Sequence, residues 1–98
     1  MRTPLPDRRR SENHKVKCRG NSIFVTVGFY NDGRVGEIFI DTAKAGTELH
    51  DMMSSAATMA SLALQSGAEL PDVVRLLGGF GDSEISKCVA SVLGGYLR

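Results

Sequence analysis

The stretch SIFVTVGFYNDGRVGEIFIDT, residues 22–42, decides the fold of this 98-residue chain. β-Branched and aromatic residues fill both of its halves, which is typical of strands. Between the halves lies NDGR, residues 31–34, and Asn, Asp and Gly tolerate the positive φ angles that tight hairpin turns require. We therefore predict an antiparallel hairpin with strands at about 22–30 and 35–42.

Alternation places apolar residues on one face of the first hairpin strand, and we assign that face to the core. Gly28 belongs to the opposite face, where it marks a bulge or the close approach of another backbone. Upstream, alternating residues at about 14–19 predict one more strand, which makes the sheet a three-stranded antiparallel meander. The predicted core face consists of Ile23, Val25, Val27 and Phe29.

The rest of the chain has helical periodicity. Apolar residues recur every three or four positions at about 47–66, 71–78 and 83–97, and Gly or Pro marks the ends. We predict three helices packed on one face of the sheet, which makes the fold class α+β. Gly94 and Gly95 interrupt the last pattern, at a cost of roughly 1 kcal/mol each relative to alanine.

Length and composition predict one globular domain behind a basic arm. The chain is 42% hydrophobic and 23% charged, with a net charge of +1. Residues 1–19 hold seven basic and two acidic side chains, and we predict an extended arm over 1–13 and a single domain over 14–98. The run Arg8-Arg9-Arg10 could contact nucleic acid or another phosphate-rich partner. The alternative is a solvated arm that packs on an acidic face of its own or of a neighbouring subunit.

Residues that carry chemistry in other proteins are sparse here. Cys18 and Cys88 lie 70 positions apart with no CxxC pair, and we expect two buried free thiols and neither a zinc site nor a disulfide framework. His14 and His50 have no Cys or His at ligand spacing, and we expect no bound metal and no cofactor. No secretory signal or membrane-spanning segment is visible, which makes the cytoplasm the expected compartment and a membrane partner unexpected.

One loop has features of an anion site. Lys44, Gly46 and Thr47 lead into the first predicted helix, where free backbone N–H groups, the helix dipole, a lysine and a hydroxyl could hold an anion. Glu48 and Asp51 follow immediately and already complement the same dipole. An ordinary capped helix start is the alternative interpretation.

Several stretches resemble one known family. Residues 28–47 read GFYNDGRVGEIFIDTAKAGT, residues 60–67 read ASLALQSG, and LPDVV follows at 70–74. Together they resemble the core of the TSCPD domain, found near the C-terminus of vitamin B12-dependent (class II) ribonucleotide reductases and in short free-standing chains. The opening LPDRR, residues 5–9, is similar to the start of some of those short chains.

The resemblance implies a link to deoxyribonucleotide synthesis without catalysis by this chain. The family reductases use a large barrel with radical and redox cysteines, and 98 residues cannot contain it. Among the signature positions that the resemblance carries over, the polar ones without an evident structural duty are candidates for binding. With the loop residues described above, our candidates for contact with a partner or ligand are Arg34, Glu37, Lys44, Gly46, Thr47 and Gln65.

The sequence leads to one principal functional hypothesis and three alternatives. The principal one is a non-catalytic accessory or interaction module that docks on a ribonucleotide reductase large subunit or associates with itself as a homodimer. The alternatives are a nucleotide or nucleic-acid binder, a subunit that a reductase needs in trans, and a phage or mobile-element protein that binds a host complex. Nucleic-acid binding would weaken steeply with salt, and co-purification with a large reductase subunit would identify a subunit in trans.

Overall fold

Three antiparallel strands are followed by three helices, and the predicted α+β architecture is confirmed. The computed structural model describes residues 2–18, 20–42, 48–78 and 84–97. Lys44, Gly46 and Thr47, the loop residues of the predicted anion site, lie outside the described residues. The elements are β1 (Ser11–Cys18), β2 (Asn21–Phe29), β3 (Val35–Thr42), α1 (Glu48–Gln65), α2 (Leu70–Gly78) and α3 (Glu84–Gly94).

Two element ends differ from the sequence prediction by more than one residue. β1 begins at Ser11, three residues earlier than predicted, because β2 is long enough to offer a partner to Ser11 at Gly28. α3 ends at Gly94 rather than near residue 97, and the backbone continues in turns in which Gly95 donates to the carbonyl of Val92. The two consecutive glycines explain the early end, because each costs free energy inside a helix.

The sheet has the order β1-β2-β3, and both pairings are antiparallel. Val27 lies opposite Ile38, and the register shifts beside Gly28: Gly28 pairs with Glu37 and Phe29 with Val35, so the extra residue is Gly36 of β3. The irregularity that Gly28 predicted therefore lies next to it, in the partner strand. The face of β2 assigned to the core is buried as expected, and we call this side of the sheet its inner face. The buried side chains of β2 on that face are Ile23, Val25, Val27 and Phe29.

Helix α1 closes the free edge of β3. The Ser61 hydroxyl accepts from the backbone N–H of Ile38 at 2.8 Å and donates to its carbonyl at 3.0 Å. One turn later, the Gln65 amide donates to the carbonyl of Gly36 at 3.0 Å. These side chains satisfy edge groups that would otherwise be open to pairing with another chain. A neighbouring side of α1 buries Met53, Ala57, Ala60 and Leu64 against the core.

The two cysteines form a disulfide, and the expectation of two buried free thiols is wrong. The sulfur atoms of Cys18 and Cys88 are 2.09 Å apart, and their Cα atoms are 6.5 Å apart. The bond joins the last residue of β1 to α3 across 70 residues of sequence. No local spacing signals such a pair, since only the packing of α3 against β1 brings the two residues together. Among the described helices, none is long and apolar enough to cross a membrane.

Candidate functional site

The sequence-predicted candidates Arg9 and Glu37 meet on the outer face of the sheet. Both carboxylate oxygens of the buried Glu37 accept hydrogen bonds from the Arg9 guanidinium, one of them from Nη2 at 3.0 Å. Arg9 also donates through Nη1 to the carbonyl of Pro6 at 2.7 Å. The hydrogen bond to Glu37 raises the pKa of Arg9 above its ordinary value, so the guanidinium keeps its charge at neutral pH.

Gln65 holds the beginning of the chain. Its side-chain oxygen accepts from Arg2 Nε at 2.7 Å, and its backbone carbonyl accepts from the N–H of Thr3 at 2.7 Å. We call the contacts of Arg2, Thr3 and Arg9 with Glu37 and Gln65 the arm latch. Through the arm latch the basic N-terminal arm packs on its own domain, as the second of the two sequence interpretations describes. Glu37 and Gln65, for which the sequence suggested no structural duty, are the acceptors of the latch.

Arg34 lies at the hairpin turn and remains largely exposed. Its Nε donates to Asp32 at 2.7 Å, and its guanidinium carbon stands 4.8 Å from the ring centre of Tyr30. Asp32 also accepts from the backbone N–H of Arg34 at 3.0 Å. This backbone hydrogen bond, followed by the side-chain one, holds the pKa of Asp32 below its ordinary value. The turn therefore presents a fixed guanidinium at the surface.

The three consecutive arginines of the arm have different surroundings. Arg8 is exposed, Arg9 belongs to the arm latch, and the Arg10 guanidinium lies 4.5 Å from the ring centre of Phe29. Phe29 is buried on the inner face, whereas Glu37 is on the outer face. The structure therefore does not gather the three arginines on one surface.

A cavity of about 850 Å³ lies at the hairpin end of the inner face. Its walls come from the start of β1, the hairpin turn, the loop after α1 and the segment that ends α3. Phe29, Leu64 and Val92 are among its apolar residues, and Arg10 and Arg34 are among its polar ones. Two of the sequence-predicted arginines thus line one concave site.

A polar triad of Glu12, His14 and Tyr96 forms another part of the cavity lining. The Tyr96 hydroxyl donates to Glu12 at 2.6 Å and is also hydrogen-bonded to His14 Nε2. Because a hydroxyl has a single hydrogen, His14 must act as the donor in the second bond. Burial, and then the bond to Glu12, raises the pKa of Tyr96 to about 12, so the phenol keeps its proton at neutral pH.

The sequence interpretation did not single out this triad or Ser61. Glu12 and His14 are two positions apart in β1 and so share one face of the strand, and Tyr96 extends the apolar series of α3. These local patterns do not predict that β1 contacts the segment after α3, because Tyr96 lies 82 positions after His14 and 84 positions after Glu12. Within the described ranges, no group of three or more His, Cys, Asp or Glu side chains could hold a metal ion.

Three vitamin B12-dependent ribonucleotide reductases are among the curated relatives of the chain. The chain is 42% identical over 73 residues to a vitamin B12-dependent ribonucleotide reductase from Rhodopirellula baltica. The aligned stretch covers 74% of this chain and 7% of the relative. The corresponding reductases from Bradyrhizobium diazoefficiens and Agrobacterium fabrum are each 40% identical over 73 residues, which is 6% of their lengths. The match thus spans less than a tenth of the length of these curated relatives.

No solved structure matches the chain. The family model of the TSCPD domain matches residues 2–97, which is wider than the stretch of about 5–78 that carried the resemblance in the sequence. This match includes the arm latch at one end of the chain and Tyr96 at the other. The chain belongs to the TSCPD domain family.

Proposed function

We propose that this chain is a non-catalytic accessory module that docks on the large subunit of a vitamin B12-dependent ribonucleotide reductase in the cytoplasm. Its relatives carry the homologous segment as 6–7% of a much longer reductase chain. In such a chain the segment stays beside the reductase at a high effective concentration, and even a weak contact surface can be occupied.

The observation that carries the proposal is an exposed apolar stripe on α1. Met52, Met59 and Leu62 are 49%, 63% and 50% exposed, and we call them the α1 stripe. Their spacing of seven and three residues keeps them on one side of the helix. This side faces away from the buried residues of α1, so the helix is apolar on two sides.

An apolar surface of this kind favours a protein partner over water. Adjacent exposed apolar side chains mark interaction sites more often than scattered ones. Methionine suits such a surface because its unbranched side chain adapts to the shape of a partner. The described part of α1 carries acidic side chains only in its first turn, at Glu48 and Asp51, so no charge interrupts the stripe from residue 52 onward.

The test is a binding measurement between the purified full chain and the purified reductase large subunit of the same organism, by biolayer interferometry. Met59→Glu places a charge in the middle of the α1 stripe, and we expect it to weaken binding at least about tenfold. Leu76→Glu is the matched control, because Leu76 is also 63% exposed but lies on α2. It should bind like the wild type.

Two outcomes would overturn the proposal. One is that wild-type protein does not bind the reductase at micromolar concentration. The other is that Met59→Glu and Leu76→Glu bind equally well. Light scattering on the isolated chain tests self-association. If the chain forms a homodimer that Met59→Glu dissociates, and if it binds no reductase, the α1 stripe is a dimer interface.

Nucleic-acid binding by the arm receives less support from the contacts. Arg9 is paired with Glu37 on the outer face of the sheet, whereas Arg10 lines the cavity on the inner face, so the arm does not present its three arginines together to one phosphate backbone. A phosphate backbone that used Arg9 would have to break its ion pair with Glu37.

A further inference from the structure

The cavity at the hairpin end of the inner face is separate from the α1 stripe. We propose that this cavity is a binding site for a nucleoside phosphate, with the nucleoside over the apolar floor and the phosphate at Arg10 and Arg34. The proposal concerns the isolated chain and does not depend on docking to a reductase.

The size and the floor of the cavity suit a compact organic ligand. A volume of about 850 Å³ lies in the range of roughly 300–1,000 Å³ that is usual for small-molecule sites. Pro71, Val92 and Leu97 are at least partly exposed and contribute the apolar surface, whereas Phe29 and Leu64 are themselves buried in the core. A flat base can be buried against such a floor with little reorganisation.

The two arginines supply the anion-binding part of the site. Arg10 lies over the Phe29 ring and Arg34 over the Tyr30 ring, and these contacts restrict both guanidinium groups. A guanidinium has five N–H donors, and the side-chain bond of Arg34 to Asp32 occupies only its Nε. Donors thus remain for phosphate oxygens, and Arg suits phosphate because it can bind two oxygens at once.

The polar triad selects among anionic ligands. Glu12 is an acceptor, so the ligand part beside it must donate hydrogen bonds, as ribose hydroxyls and base amino groups do. A fatty acid fits poorly because polar side chains make up much of the lining. The chemistry therefore favours a ligand with a flat apolar ring, several hydroxyl donors and a terminal phosphate.

The experiment is a titration of the ¹⁵N-labelled full chain, followed by NMR, with ATP, adenosine and inorganic phosphate as separate probes at low salt. We expect ATP to shift the amide signals of Gly33 and Gly95, which line the cavity, in a saturable one-to-one manner. Adenosine and phosphate should each bind at least about tenfold more weakly, because each makes only part of the contacts.

Two arginine variants test the site itself. Arg34→Ala should weaken ATP binding about tenfold, the effect of losing one charge-assisted contact. Arg75→Ala is the matched control, because Arg75 is also an exposed arginine beside an aspartate, at 3.5 Å from Asp72, but lies outside the cavity lining. It should bind ATP like the wild type. Arg10→Ala is a second test at the other arginine and should weaken binding to a similar extent.

Three results would overturn the proposal. The first is that ATP causes no saturable shifts up to millimolar concentration. The second is that Arg34→Ala and Arg75→Ala change binding equally, which would indicate non-specific attraction. The third is that phosphate alone binds as tightly as ATP, which would leave a simple anion site. Both substituted side chains are exposed, so the variants are expected to fold, and their amide spectra verify it.

Discussion

At the scale of single residues, two of the polar signature positions, Glu37 and Gln65, hold the N-terminal arm. Glu37 needs space above the sheet, and Gly28 provides it: a Cβ at Gly28 would overlap the Glu37 side chain, whose Cγ lies 2.6 Å away. Gly36 has the same role beside the arm, where an added Cβ would come within 3.0 Å of Leu5. The close approach that Gly28 predicted is therefore that of a side chain rather than of another backbone.

The arm latch should contribute measurable stability. Glu37→Gln keeps the shape of the side chain but removes the charge that Arg9 binds, and we expect the free energy of unfolding to fall by about 1–2 kcal/mol. Urea denaturation followed by circular dichroism measures this change. Arg8→Ala is the control, because Arg8 is exposed, and it should change stability by less than about 0.5 kcal/mol. If Glu37→Gln unfolds at the same urea midpoint as the wild type, the arm latch does not stabilise the fold.

At the scale of elements, α1 acts as the cover of an edge strand. Its apolar side packs on the core, while Ser61 and Gln65 saturate backbone groups of β3. The limits of α1 could be predicted from periodicity to within a residue, since the pattern is local. The sealing of the edge could not, because serine and glutamine in a helix usually indicate a solvated surface.

Removal of the Ser61 hydroxyl should destabilise the domain at the edge of β3. Ser61→Ala leaves the N–H and the carbonyl of Ile38 without this partner, which costs about 1–3 kcal/mol when such groups are buried. The variant should also self-associate more, because open edge groups can pair with a second chain. Thermal denaturation and light scattering measure the two effects. Ser55→Ala, at an exposed position of the same helix, should match the wild type, and equal behaviour of both variants would refute the sealing role.

At the scale of the whole molecule, contacts distant in sequence join the two ends of the chain. Arg2 contacts Gln65, His14 contacts Tyr96, and Cys18 is bonded to Cys88. The hairpin and the helices could be predicted because turn residues and periodicity are local signals. The cavity, the polar triad and the disulfide could not, because they depend on how α3 packs against β1. The family resemblance drew attention to Glu37 and Gln65, but only the packing assigns them to the arm latch.

The disulfide makes a prediction about the stability of the whole domain. Cys18 and Cys88 enclose 70 residues of sequence, and a cross-link around a loop of this length stabilises by about 2–4 kcal/mol, mainly by restricting the unfolded chain. At roughly 4–8 °C per kcal/mol for a domain of this size, reduction should lower the Tm by about 10 °C or more. Scanning calorimetry with and without a phosphine reductant measures the shift, and the double variant Cys18→Ala/Cys88→Ala should not respond to the reductant. If protein purified without reductant contains two free thiols per chain and melts at the same temperature in both buffers, the cross-link is absent from the folded molecule. Cytoplasmic proteins rarely keep disulfides. The free thiols of the protein should therefore also be counted after they are alkylated inside living cells. That count decides whether the chain has the stability of the oxidised or of the reduced form in its own compartment.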